Sequence, residues 1–180
     1  MSVLERVREL QPESAEAIVL LSRAYTKSER IPEAVALLHS TVEANRGKRS
    51  RGLAAVYEEL AEVHLAEGYL TDALQALQRA FEMDSRNARL GMRLARLAVE
   101  AEEDEVAQRG FRAVAIMKSA PVDGPDGARP ETKADANYAL AVLARKAGDA
   151  RRARVLVSKA LGEFPDHAEA RALLAELDQK

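Results

Sequence analysis

A set of small and apolar residues recurs along this chain at a spacing close to 34 residues. Leu60-Ala61, Gly68, Ala73 and Ala80 reappear with the same internal gaps as Leu140-Ala141, Gly148, Ala153 and Ala160. Leu94-Ala95 and Ala107 follow Leu60-Ala61 and Ala73 by 34 residues, and Leu21-Ser22, Tyr25 and Ala34 open the series. A unit of this length cannot bury its apolar face alone, so units must stack on one another. That confines the chain to quasi-linear repeat architectures, each unit touching mainly its neighbours.

Within one unit the spacing predicts two antiparallel helices. Val56, Tyr57, Leu60, Ala61 and His64 follow the 3.6-residue period. Gly68 then ends that helix with a left-handed backbone. Thr71-Asp72 restarts a second, carried by Ala73, Leu74, Leu77, Ala80 and Phe81. Asp84-Ser85-Arg86-Asn87 closes it in turn-forming residues. Composition agrees: 35 alanines and 22 leucines against 9 glycines favour helix throughout. With 4% aromatic residues the chain is a poor candidate for a β fold.

The pattern resembles the tetratricopeptide repeat family. The eight anchor positions of that family read Tyr57, Leu60, Ala61, His64, Ala73, Leu77, Ala80 and Ser85 in one repeat. In another they read Asn137, Leu140, Ala141, Ala144, Ala153, Val157, Ala160 and Pro165. The first repeat gives Ile18, Leu21, Ser22, Tyr25, Ala34, Leu38, Thr41 and Arg46, and the third Gly91, Leu94, Ala95, Ala98, Ala107, Phe111, Val114 and Pro121. The resemblance implies an all-α, right-handed α-solenoid of antiparallel helix pairs with about ten helices. Repeats are expected over 15–48, 54–87, 88–121 and 134–167. A half-repeat or N-terminal cap falls at 1–12 and a capping helix at 168–180.

Departures from the period mark insertions. Ala34 to Ala73 spans 39 residues, with the excess at Asn45 to Gly52. Ala107 to Ala153 spans 46, and an inserted loop at 122–133 absorbs the difference, in a stretch containing Pro121, Gly124, Pro125, Gly127 and Pro130. Long loops inside compact domains are often functional, so this one is a candidate docking element. Beginning in mid-repeat, the chain opens either with its own cap or as a segment of a longer protein. Its Ala/Arg-rich composition suggests GC-rich coding and a bacterial source.

Several chemistries are disfavoured. With no cysteine there is no disulfide framework or cysteine nucleophile. The apolar runs are too short to span a membrane, and Glu5, Arg6, Arg8 and Glu9 break any signal-peptide pattern, so a cytoplasmic location is expected. His39, His64 and His167 fall on separate repeats, without a metalloprotease, triad or phosphate-loop motif around them. His64 reads as a core or seam residue and His167 as an exposed turn residue. A non-catalytic protein with no cofactor, no metal and no small-molecule substrate is expected.

The resemblance also implies a concave face lined by the first helix of each pair. There the chain would present Glu58, Glu59 and Glu62, then Arg89, Met92, Arg93 and Arg96, then Tyr138, Val142, Arg145 and Lys146. A formal net charge of −2 thus conceals an acidic band followed by basic ones. The basic band would attract a protein or peptide with acidic residues, since arginines fork onto carboxylates. Alternatively, the glutamates pair with the arginines of the next repeat. Tyr138, with Met92 and Val142 beside it, is the natural apolar anchor.

One subfamily grips chaperone C-terminal carboxylates with a Lys/Asn clamp. Arg89 and Arg93 fit its basic positions, but Val19, Arg23 and Glu59 depart from the rest. The expected function is therefore a scaffold or adaptor module binding a partner protein, with oligomeric state open. Two alternatives stand beside it: self-assembly through the array ends, and contact with RNA or an acidic surface through the basic connector Arg46-Gly47-Lys48-Arg49-Ser50-Arg51. That connector lacks aromatics for base stacking, which makes nucleic acid the weaker reading.

Overall fold

A computed structural model describes residues 14–179. The half-repeat or cap expected over 1–12 lies outside these residues. Among the described residues there are nine α-helices and no strand. They fall in two compact units that divide after Asp84.

The first unit contains α1 (Ala15–Lys27), α2 (Ile31–Ala44), α3 (Arg51–Ala66) and α4 (Leu70–Met83). The second contains α5 (Ala88–Glu100), α6 (Asp104–Ala115), α7 (Pro130–Lys146), α8 (Ala150–Glu163) and α9 (Ala168–Asp178). In each unit consecutive helices pack as antiparallel pairs, and α1 also packs on α3.

The helices start where the sequence offers caps. Ser14, Ser50, Asn87 and Asp149 each accept a hydrogen bond from a backbone N–H three residues on, satisfying a donor the helix itself leaves free. Pro32 and Pro130 lie in the first turns of α2 and α7, where a missing N–H removes no helix bond. Pro130 thus begins a helix inside the stretch that the sequence pattern assigns to the inserted loop.

The repeat period is visible in the core. Ala34, Ala73, Ala107 and Ala153 are completely buried, as are Ser22, Ala61, Ala95 and Ala141. Each small side chain lets two helices approach where a larger one would hold them apart. Leu21, Leu38, Leu77, Val56, Val63, Val114 and Val157 fill the space between them.

One turn recurs in four pairs. The link between the two helices passes through a left-handed residue: Glu29 and Glu102 at φ 59°, Gly68 at 79° and Gly148 at 81°. In each case the next residue or the one after it donates back to the preceding helix, as Tyr69 does to the His64 carbonyl at 2.8 Å and Glu103 to that of Ala98 at 2.8 Å. Two of the four turns use glycine for a backbone that glutamate adopts only under strain.

The segment between α6 and α7 is ordered by its own bonds. Ala120 N–H donates to the Ala128 carbonyl at 2.9 Å, and Ala128 N–H to the Lys118 carbonyl at 3.0 Å. Asp123 ties the segment to α7, accepting from the Arg129 N–H at 2.8 Å and the Thr132 hydroxyl at 2.6 Å. Partial burial alone would raise the Asp123 pKa, but these bonds and the Arg129 charge outweigh it and hold the carboxyl below its ordinary range.

Candidate functional site

Among the described residues, the second unit holds a groove of about 600 Å³ between α5 and α7. Helix α5 supplies Met92, Arg96, Val99 and Glu100, which the i, i+4, i+7 spacing places on one face. Helix α7 answers with Asp135, Tyr138, Ala139, Val142 and Leu143 at the same periodicity. Phe111 of α6 forms the floor, while His167 and Glu169 close the side toward α9.

The floor is apolar. Met92, Phe111 and Leu143 are buried, Tyr138, Ala139 and Val142 half-buried, and Val99 is 44% exposed. Met92 therefore lines the groove as part of the core, and Tyr138 and Val142 are the side chains that a partner could cover.

His167 is not the exposed turn residue that the sequence suggests. It is only 6% exposed and caps α9, its Nδ1 accepting from the Ala170 N–H at 3.3 Å. With Nδ1 used as an acceptor, a neutral ring carries its proton on Nε2. That atom lies 3.2 Å from Asp135 Oδ1 but is out of line for a hydrogen bond. The imidazole also lies 5.2 Å from the Tyr138 ring, centroid to centroid. Its cap position, one residue past Pro165-Asp166, was the signal available in the sequence.

The expected basic band is largely neutralised. Arg145 Nη1 meets Glu176 Oε2 at 2.5 Å, Lys146 Nζ meets Asp104 Oδ2 at 3.3 Å, and Arg96 lies 3.9 Å from Asp135. Arg89 and Arg93 are on α5 outside the groove lining, and each is already engaged. Glu100 and Glu169 stand on the groove edge, Glu169 with its carboxylate 3.2 Å from His167 Nδ1.

In the first unit the acidic residues divide. Glu59 is 4% exposed and accepts from Arg23 Nε at 2.8 Å, while Glu58 is half-buried and Glu62 exposed, both already engaged. Glu59 thus pairs back to the preceding helix pair rather than forward to the next, because α3 packs directly on α1. Two of the three departures from the chaperone-tail clamp, Arg23 and Glu59, satisfy each other.

The basic connector is also occupied. Arg46 pairs with Glu43 at 3.2 Å, Lys48 donates to Asn45 at 3.1 Å, Arg51 lies 3.7 Å from Asp84, and Arg49 is engaged. Ser50 meanwhile caps α3. Two histidines from different pairs do meet: the His39 and His64 rings are 6.3 Å apart, with Tyr69 at 6.5 Å beyond His64. Burial lowers the His64 pKa most, the His39 charge lowers it further, and Asp72 acts in the opposite sense. No helix among the described residues is long and apolar enough to cross a membrane.

Comparison with known proteins places this geometry. Residues 1–57 match the family model described as tetratricopeptide repeat. Solved structures share the fold of α-solenoid helix pairs. MamA aligns with a TM-score of 0.61 at 18% identity, over 92% of this chain and 87% of that one. A tetratricopeptide repeat protein from Parabacteroides merdae ATCC 43184 gives 0.66 at 19% identity, over 92% of this chain but 59% of the other. Pseudomonas aeruginosa pilF gives 0.57 at 19% identity, over 92% and 68%. No curated protein matches in sequence.

Proposed function

We propose that this chain, a tetratricopeptide-repeat protein by the match of its first 57 residues and by its fold, is a non-catalytic scaffold or adaptor that holds a segment of another protein in the groove between α5 and α7. In this reading its source is bacterial. The observation that carries the proposal is the groove itself: an apolar floor with Tyr138 and Val142 half uncovered, edged by charged side chains. Interface hot spots favour such an anchor, a tyrosine in an apolar pocket ringed by polar groups. A volume of about 600 Å³ suits a few side chains of a segment.

Self-assembly is less well supported. On α9 the exposed residues are Ala168, Glu169, Arg171, Ala172, Ala175, Glu176 and Asp178, which offer little apolar area for stacking a second copy. The engaged cations of the 46–51 connector favour a structural role for it over RNA contact.

Display selection of random peptides against the intact chain tests the reading. Selected peptides should lose binding to Tyr138→Asp and Val142→Arg variants whose circular dichroism and melting remain native. Binders that recognise both folded variants as well as the parent would remove the groove from consideration.

A further inference from the structure

The charge around the groove points away from the acidic partner that its arginines suggest in sequence. Its lining holds one cation, Arg96, against three carboxylates, Glu100, Asp135 and Glu169. Arg96 is already turned toward Asp135, at 3.9 Å. Beside it on α7, Arg145 and Lys146 are held by Glu176 and Asp104, and Arg89 and Arg93 of α5 lie outside the lining and are engaged. Glu100 has no ion-pair partner among the described residues, and the neighbour of Glu169 is the His167 nitrogen that already accepts from a backbone N–H. Two carboxylates are thus left at the edge of an apolar floor.

We infer that the groove takes a segment in which a bulky apolar side chain is flanked by lysine or arginine. The apolar side chain lies over Tyr138 and Val142, and the flanking cations reach Glu100 on one side and Glu169 on the other. His167 supports the same polarity. Its Nε2 makes no hydrogen bond to Asp135 despite lying 3.2 Å from Oδ1, so Asp135 keeps acceptor capacity for an incoming donor. An acidic segment would instead meet like charge at both edges, which disfavours a wrong partner more strongly than a missing contact does.

This inference rests on the groove being the docking site, and its experiment separates the two. The probes are two capped synthetic peptides with the same leucine and phenylalanine core, one flanked by lysines and the other by glutamates. Calorimetry on the intact chain gives affinity, and amide chemical shifts of Tyr138, Ala139 and Val142 give location. The lysine peptide should bind about tenfold tighter or more, and lose that advantage as salt is raised. In the double charge reversal Glu100→Lys with Glu169→Lys, checked for a native melt, the preference should invert toward the glutamate peptide.

Equal or tighter binding of the glutamate peptide to the parent chain, with the same amides shifted, overturns the charge assignment and leaves the groove as a docking site. Lysine-peptide binding unchanged by the double reversal overturns it as well, because the cations are then read elsewhere. If neither peptide shifts the groove amides, the inference falls, and the display selection decides the docking site independently.

Discussion

Arg23 reaches from α1 to α3, and its Nε donates to the Glu59 carboxylate at 2.8 Å; the arginine side chain is 59% exposed and the carboxylate 5%. The asymmetry matters, since removing the arginine leaves a buried charge without its partner. Arg23→Ala should therefore destabilise the first unit by about 1–2 kcal/mol, the lower part of the range for a stranded buried group because the arginine itself is well hydrated. Glu59→Gln keeps the shape and an acceptor, and should lose less than half of that. Urea denaturation of the two variants checks the ordering; equal losses would show that packing rather than charge holds the contact.

Glu102 and Gly148 occupy equivalent left-handed turns within the second unit. Glu102→Gly should stabilise it by about 0.5–1 kcal/mol, the strain released less the flexibility that glycine adds to the unfolded chain. Gly148→Ala should cost about 1 kcal/mol, entirely conformational, since an added Cβ would meet nothing within 4 Å. Thermal and urea unfolding of the pair measure opposite signs.

His64 links stability to pH. Burial, aided by the His39 charge and only partly offset by Asp72, puts its folded pKa below the unfolded value near 6.5. The unfolded chain then binds the proton more readily, so stability is full above pH of about 6.5 and declines on acidification toward the folded pKa. Denaturation between neutral and mildly acidic pH should show this slope in the parent and a shallower one in His64→Gln. An unchanged slope would assign the effect to other groups.

Asp123 fastens the ordered segment to α7 through Arg129 and Thr132. Asp123→Ala should cost about 1–2 kcal/mol and open the segment to limited proteolysis before the helices unfold. Because its folded pKa is depressed, the contribution present above the ordinary carboxylate range is lost as pH falls through the folded value. Gly127→Ala should act more severely, since its Cβ would sit 2.2 Å from the Lys118 carbonyl at a φ of +143°. Cleavage mapping by mass spectrometry reads both variants.

The sequence announces packing better than pairing. Ala34, Ala73, Ala107 and Ala153 stand out by spacing and are all fully buried, because close helix approach admits no alternative residue size. The turns at Glu29 and Glu102 carry no such mark, since there a backbone conformation persists under a residue that does not advertise it. Met92, Tyr138 and Val142 line the groove. Charge is less legible. Arg145 and Lys146 read as free cations along one helix face, and only the fold brings Glu176 and Asp104 to them from 31 and 42 residues away. His167 escapes for a related reason: its burial depends on Asp135 and Tyr138, which lie on another helix.

The segment between α6 and α7 has one further consequence. Its backbone closes on itself through the bonds between Lys118, Ala120 and Ala128, while Val122 within it stands 71% exposed. A residue so placed carries almost none of the folding energy, while the scaffold under it holds its position in space. The chain thereby keeps a position at which selection can rewrite surface chemistry, gaining or discarding contacts, while the alanine-packed helices below remain under their own separate constraint.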